Sequence, residues 1–206
     1  MPDPAALFAD AAATVADLLD RVAPDAWDGP GLGAWDLRAL VGHTSRSLVT
    51  VITYLDGPAV EERVGSAAEY YALIKTGTIP GTADPEAIVE RGRRAGAQLG
   101  DDPAAAFRAL IGPATAKVAE VGPDTVVETI AGGMRVDRYL TTRTFELVVH
   151  GLDIAAATGG EVVFAPGVLS EALGMSAEVA VRLGEGEAVL LALTGRRPLP
   201  AGFCVV

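Results

Sequence analysis

The segment 136–157 restricts the fold more than any other feature, because it is apolar on almost every side of a helical wheel and yet carries a line of ionisable residues. A helix that is apolar all round is expected to be buried. Arg143, Glu146, His150 and Asp153 lie within about 80° of one another on this wheel. Burying such groups costs several kcal/mol each unless they are paired or coordinate a metal. We therefore expect a packed helical protein in which this polar line meets a partner.

The spacing of the polar line suits metal coordination. Glu146 and His150 are four residues apart, so their side chains share one helix face and can converge on one ion. Asp153 follows three residues later, where it could accept a hydrogen bond from the His150 ring or act as a further ligand. Arg143, one turn before Glu146, could orient that carboxylate or meet an anionic substrate. The same Glu-x-x-x-His spacing also occurs where the pair only supports a helix face.

The second histidine of the chain, His43, completes the candidate metal site. It belongs to a predicted helix that begins after Asp36, a suitable N-cap residue, and ends near Leu55. Metal sites in helical bundles are commonly built from inward side chains on facing helices. Two imidazoles and one carboxylate suit zinc or another first-row divalent ion, and three protein ligands leave one position open for chemistry. The alternative for His43 is a core or boundary residue without a ligand role.

The chain as a whole is predicted to be mainly α-helical, with a small C-terminal α/β appendage. Apolar residues at three- and four-residue steps predict helices at about 5–22, 36–55, 84–99, 103–121, 136–157 and 167–183. Residues 125–130 are typical of a short strand or turn, 57–83 are less regular with a loop at 77–81, and the apolar runs 188–193 and 203–206 favour a β-hairpin. We expect residues 1–160 to form one helical bundle, and 161–206 to form a short helix plus the hairpin.

Composition and charge narrow the function classes. The formal net charge of -11 disfavours binding to nucleic-acid phosphates, because the chain has no excess of Lys and Arg. The single cysteine, Cys204, cannot form an intrachain disulfide, and its apolar neighbours favour a buried structural thiol. No apolar run reaches the roughly 18 residues of a membrane-spanning helix, and the N-terminus lacks the basic start of a signal peptide. We expect a cytoplasmic protein without membrane or nucleic-acid partners.

Two segments resemble a known family. Residues 35–43, Trp-Asp-Leu-Arg-Ala-Leu-Val-Gly-His, resemble the start of a helix in the DinB-like metal-binding superfamily, and residues 143–155 resemble its later helix. The Glu-x-x-x-His-Gly-x-Asp-x-Ala string in the second segment is similar to that of the mycothiol-dependent maleylpyruvate isomerase family of actinobacteria. The resemblance covers the expected bundle. It implies a four-helix bundle with a zinc site formed by His43, Glu146 and His150.

The resemblance also implies an activity. Members of the family use mycothiol, a low-molecular-weight thiol, to convert maleylpyruvate into fumarylpyruvate, and related proteins are regarded as thiol S-transferases. The implied function is a metal-dependent isomerase or S-transferase that acts on a small electrophilic acid, with a divalent metal (zinc favoured) and mycothiol as cosubstrate. Arg143 and Asp153 are supporting candidates at its active site. The alternative is a non-catalytic bundle that binds a metal or small ligand in a regulatory or sequestering role.

Further expectations concern basic residues and partners. The full-length isomerase has a larger C-terminal domain that contributes a basic residue to its substrate site, whereas a short segment follows Gly160 here. Arg196 and Arg197 are candidates for a comparable anion-binding role, or for solvated residues of the predicted hairpin. The charge run 90–94 is expected to be solvated. The expected partners are a small-molecule thiol and an electrophilic substrate, with a homodimer as an open alternative to a monomer.

Overall fold

The computed structural model describes residues 3–79 and 84–206. This part of the chain forms eight helices and a two-stranded antiparallel sheet, which confirms the mainly α-helical prediction. The helices are α1 (Pro4–Leu19), α2 (Leu37–Leu55), α3 (Ala67–Lys75), α4 (Pro85–Gln98), α5 (Pro103–Ala119), α6 (Val136–Thr158), α7 (Pro166–Arg182) and α8 (Gly186–Leu193). The strands β1 (Val126–Thr129) and β2 (Gly132–Arg135) form a hairpin directly before α6.

Four of the helices form the bundle that the sequence predicts. Helix α6 packs against α1 and α2, and α5 packs against the same two helices, so that the four enclose one core. Each helix contributes a large side chain that is fully shielded from solvent: Phe8, Leu48, Phe107 and Leu147. Burial of these apolar side chains provides the main driving force for the assembly. No helix within residues 3–79 or 84–206 combines the length and the apolar character needed to span a bilayer.

Capping residues set where the bundle helices begin and end. Asp36 accepts a hydrogen bond from the backbone N–H of Ala39 at 2.7 Å, which confirms it as the N-cap residue of α2. Helix α6 has no side-chain cap and instead continues from β2. It ends at Gly159, whose φ of 66° lies in the left-handed region that glycine adopts without strain. Helix α6 therefore runs without interruption through the whole polar line.

The remaining helices pack around the outside of the bundle. Helix α4 lies against α2, and the two backbones approach closely where Gly42 meets Gly96. A Cβ atom at Gly42 would lie 2.1 Å from the backbone nitrogen of Gly96, so only glycine permits this crossing. Helix α7 contacts α1, α3 and α6, and α8 packs on α7. The boundary at residue 160 between bundle and appendage stays a prediction.

Three sequence expectations outside the bundle need correction. The hairpin predicted from 188–193 and 203–206 is wrong, because the first run lies in α8 and the second has no regular structure. The first run is rich in Ala and Leu, which favour helix. Helix α3 lies within the stretch 57–83 that was expected to be less regular, and the loop expected at 77–81 falls partly outside the described residues. Cys204 is exposed rather than buried.

Candidate metal centre and its cavity

The three residues that the sequence nominates as metal ligands meet between two neighbouring bundle helices. His43 lies on α2, and Glu146 and His150 lie one turn apart on α6. Glu146 Oε2 is 3.2 Å from His150 Nε2 and 3.8 Å from His43 Nε2. One ligand atom from each residue lies within 4.8 Å of the other two. Ligands of a tetrahedral zinc ion, at bond lengths of about 2.0–2.2 Å, are separated by about 3.3 Å, so the cluster is close to the spacing that one ion requires.

Asp153 fixes the orientation of the His150 ring. Its Oδ2 atom is 3.0 Å from His150 Nδ1, on the side of the ring that faces away from Glu146. Because an ionised carboxylate can only accept, Nδ1 carries the proton and Nε2 is directed at the cluster. Burial acts to lower the pKa of His150, but the hydrogen bonds to Asp153 and Glu146 outweigh it and raise the pKa to about 9. In the absence of a metal, a proton therefore sits between His150 and Glu146 at neutral pH.

The Glu146 carboxylate is held from its other oxygen by a tyrosine. The Tyr71 hydroxyl donates to Glu146 Oε1 at 2.5 Å and is also 3.2 Å from the Thr142 backbone oxygen. Burial opposes ionisation of Glu146, but its close contacts with the His150 and His43 rings hold its pKa well below the usual range. Burial and the Glu146 charge raise the pKa of Tyr71 well above its usual value, so Tyr71 remains a neutral donor. Glu146 is therefore an ionised ligand candidate with one oxygen free to bind a metal.

The ring of His43 is positioned by an aromatic neighbour. The Trp35 ring lies over it at a centroid distance of 4.6 Å with an interplanar angle of 31°. Trp35 is anchored by its Nε1–H, which donates to the backbone oxygen of Val89, and by Gly92, where a Cβ atom would lie 2.5 Å from the Trp35 nitrogen. Burial lowers the pKa of His43, so this imidazole is neutral and can act as a ligand.

Arg143 lies one turn before Glu146 and is 8% exposed. Its guanidinium stacks over the ring of Tyr139 at 5.0 Å and that of Tyr70 at 5.9 Å, and its Nε donates to Thr142 Oγ1 at 3.0 Å. It forms no ion pair with a carboxylate of the described residues. Arg143 is thus a buried cation between aromatic rings, and it carries its charge permanently at physiological pH.

A cavity of about 760 Å³ opens onto the cluster. Both histidines, Glu146 and Arg143 line it, together with residues from α3 and α4. Pockets of about 300–1,000 Å³ are typical of small-molecule sites. The cluster is therefore accessible to a ligand of that size.

The structure brings together some of the candidate site residues from the sequence and separates others. His43, Glu146 and His150 converge, Asp153 lies behind His150 rather than facing Glu146, and Arg143 faces the cavity. Arg196 and Arg197 are exposed and do not line the cavity among its described residues, so the anion-binding role offered for them lacks support.

Sequence reasoning gave no role in the site to Tyr71 or Arg91, and it included Trp35 only as the first residue of the segment that resembles the family. Trp35 packs on His43, and Tyr71 binds Glu146. Arg91 is half-buried and lines the cavity, a location that the interpretation of 90–94 as a solvated charge run did not include. The sequence did contain a signal that Tyr71 lies on a helix. Ser66 and Glu69 have the spacing of a capping box, which marks the start of α3.

Comparison with known proteins gives a family match over the part of the chain that contains the candidate metal ligands. A family model described as the mycothiol maleylpyruvate isomerase N-terminal domain matches residues 8–155, which include all three candidate ligands. The crystal structure of the mycothiol-dependent maleylpyruvate isomerase is similar to the chain, with a TM-score of 0.59 and 16% sequence identity. The similarity covers 86% of this chain and 68% of that one, and at this identity it shows the fold alone. The comparison with curated proteins gives no match.

Proposed function

Because the chain belongs to the mycothiol maleylpyruvate isomerase N-terminal domain family, we propose that it is a metal-dependent enzyme that uses a low-molecular-weight thiol, mycothiol or a similar compound. Its reaction is S-transfer to, or isomerisation of, a small electrophilic acid such as maleylpyruvate. The observation that carries the proposal is the convergence of His43, Glu146 and His150 at a cavity of small-molecule size.

The donor set fits a divalent metal, with zinc favoured. His150 Nε2 and Glu146 Oε2 lie 3.2 Å apart, and a proton shared between them in the metal-free protein would be replaced by a bound divalent ion, to which both atoms can donate an electron pair. Two imidazoles and one carboxylate are a common ligand set for catalytic zinc. His43 Nδ1 is buried without a hydrogen-bond partner among the described residues, which leaves Nε2 as the nitrogen that faces Glu146. A divalent ion at this site would lower the pKa of a bound thiol, so that the thiolate is present at neutral pH.

The chain's own residues supply a binding chamber and fixed ligands but no nucleophilic sulfur. Cys204 is exposed and does not line the cavity among its described residues, so a reacting thiol must come from outside. In an isomerisation, the thiolate forms a C–S bond to an activated double bond and moves an electron pair onto the conjugated carbonyl oxygen. Rotation about the resulting single bond and expulsion of the thiolate then restore the double bond. In an S-transfer, a leaving group departs with its electron pair instead.

The geometry also bears on the non-catalytic alternative. A protein group that completed a closed tetrahedral site would leave no position for substrate. Asp153 was the candidate for that role, and its carboxylate contacts His150 Nδ1, on the opposite side of the ring from the cluster. Among the described residues the possible metal ligands number three, which supports an open coordination position and favours the enzyme.

Thiol binding by metal-containing and metal-stripped protein tests the proposal. We expect calorimetric titration with mycothiol to give binding only after zinc is restored, and to give none with Glu146→Gln. Glu171→Gln is a matched control, because Glu171 is a half-buried carboxylate on α7 that bonds to Thr141 outside the cavity. The zinc-containing protein should also convert maleylpyruvate to fumarylpyruvate in a thiol-dependent manner, followed by proton NMR. Thiol binding that is equally strong without zinc and in the Glu146→Gln variant would refute the proposal. Metal binding without thiol binding would favour the non-catalytic bundle.

A further inference from the structure

The cavity is lined by charges of the opposite sign to the protein as a whole. The chain has 27 acidic and 16 basic residues, giving a net charge of -11. Apart from the two histidines, the charged side chains among the described lining comprise four cations and one carboxylate: Arg46, Lys75, Arg91, Arg143 and Glu146. Composition alone would give more carboxylates than cations. A concave site with this charge pattern concentrates anions.

Most of the basic residues outside the cavity have carboxylate partners, whereas the three arginines that line it have none among the described residues. Arg38, Arg94, Arg108, Lys117, Arg135, Arg138 and Arg182 each pair with an aspartate or glutamate. Arg46, Arg91 and Arg143 form no such ion pair within the described part of the chain, whereas Lys75 contacts an oxygen of Val206 at 3.1 Å. The positive charges of the three arginines are therefore available to a ligand.

Arg143 is the most deeply buried of the four. The rings of Tyr70 and Tyr139 offset part of the cost of burying its charge, but they do not neutralise it. The neighbouring Glu146 carboxylate is engaged by Tyr71, His43 and His150. A guanidinium presents a planar pair of donors that matches a carboxylate. The counter-ion that Arg143 lacks would therefore be supplied by a bound acid.

We infer that Arg143 anchors a carboxylate of the small acid that this cavity accepts. Arg143 precedes Glu146 by one turn of α6, a rise of about 5 Å, so an acid anchored there extends toward the His43–Glu146–His150 cluster. Arg46 and Arg91 add positive charge that attracts the anion into the cavity. The identification of this acid as the electrophilic substrate rests on the proposed function, whereas the anion site itself does not. Arg143 of the bundle thus takes the anion-binding role for which Arg196 and Arg197 of the C-terminal segment were the sequence candidates.

Binding of a simple dicarboxylate to metal-stripped protein tests the inference without any metal, thiol or turnover. Maleate is the probe, and its uncharged diamide, maleamide, is the matched ligand control. We expect calorimetry to detect maleate and not maleamide. Arg143→Met should weaken maleate binding by about 10- to 100-fold, as expected for loss of a hydrogen bond to a charged group. Arg138→Met is the control variant, because Arg138 is on the same helix but pairs with Glu62 and does not line the cavity among its described residues.

A second variant keeps the test decisive if Arg143→Met fails to fold, as judged by near-ultraviolet circular dichroism. Arg143→Lys retains the charge but loses the planar donor pair, so we expect a smaller but measurable loss of maleate affinity. Wild-type affinity in either folded Arg143 variant would overturn the inference, and so would an equal loss in Arg138→Met or equal binding of maleamide. Zinc and thiol binding, measured separately, report on the proposed function, so the two can fail independently.

Discussion

Replacing Asp153 with Asn should lower the pKa of His150, because it removes one of the two carboxylates that hold this imidazole. His150 lies between Asp153 at 3.0 Å and Glu146 at 3.2 Å, and together they raise its pKa to about 9 against the opposing effect of burial. A hydrogen bond to a charged group contributes about 1.5–3 kcal/mol, which corresponds to about 1–2 pH units. We therefore expect the pKa of His150 to fall to about 7–8 in the metal-free variant.

The same contact makes the stability of the metal-free protein depend on pH. The folded-state pKa of His150 is about 9, above the unfolded value of about 6.5, so the folded state binds the proton more tightly. The resulting stabilisation of about 3 kcal/mol is fully present below pH 6.5 and is lost as the pH rises through 9. Asp153→Asn should reduce this loss by about half.

Histidine NMR is the direct assay, because the chain has only two histidines and their ring signals can be followed separately. In chelator-treated wild-type protein, His150 should titrate near pH 9 and His43 below its ordinary value, since burial lowers the pKa of His43. Asp137→Asn is the matched control, because Asp137 is also on α6 but bonds to Arg135. A wild-type protein in which neither imidazole titrates above pH 8, or an Asp153→Asn variant with an unchanged pKa at His150, would refute the reasoning.

Two further predictions concern the supports of the cluster. Tyr71→Phe should weaken zinc binding by about 10-fold in competition with a chelating dye, because hydrogen bonds to a metal ligand tune metal affinity by about that factor. Tyr54→Phe alters another tyrosine of the cavity and should leave the zinc affinity unchanged. A Tyr71→Phe variant that binds zinc as tightly as the Tyr54→Phe variant would contradict the role of Tyr71. Gly92→Ala should cost about 1–3 kcal/mol in urea denaturation, because its Cβ would lie 2.5 Å from Trp35 Nε1. Gly174→Ala is the matched control, because a Cβ atom at this exposed position in α7 meets nothing within 4 Å, and it should stabilise the fold by about 0.5–1 kcal/mol. Equal effects of the two substitutions would count against the packing argument.

The sequence was sufficient to predict a helical bundle and the convergence of His43, Glu146 and His150, for identifiable physical reasons. Helix α6 is apolar on nearly every side, so its polar line could not be an ordinary solvated face. Asp36 marks the start of α2 and thereby places His43 on a helix. With only two histidines in the chain, few metal-ligand sets were available.

The supports of the site depend on contacts between segments that are distant in sequence, and those could not be predicted. The Tyr71–Glu146 bond joins residues 75 positions apart, and the Trp35 anchor depends on how closely α4 approaches at Gly92. The incorrect hairpin has a different cause. A short apolar run such as 188–193 fits a strand or a helix equally well by periodicity, and α8 has no buried residue that would have marked a face.

The metal content of the purified protein is the measurement that tests the central claim most directly. We predict about one zinc ion per chain after reconstitution and gel filtration, measured by elemental analysis, because the three donors converge on one position. His43→Ala and Glu146→Gln should each lose the ion, whereas Glu171→Gln should retain it. A wild-type protein that holds no divalent metal under these conditions, or a His43→Ala variant that binds zinc as tightly as the wild type, would contradict the account.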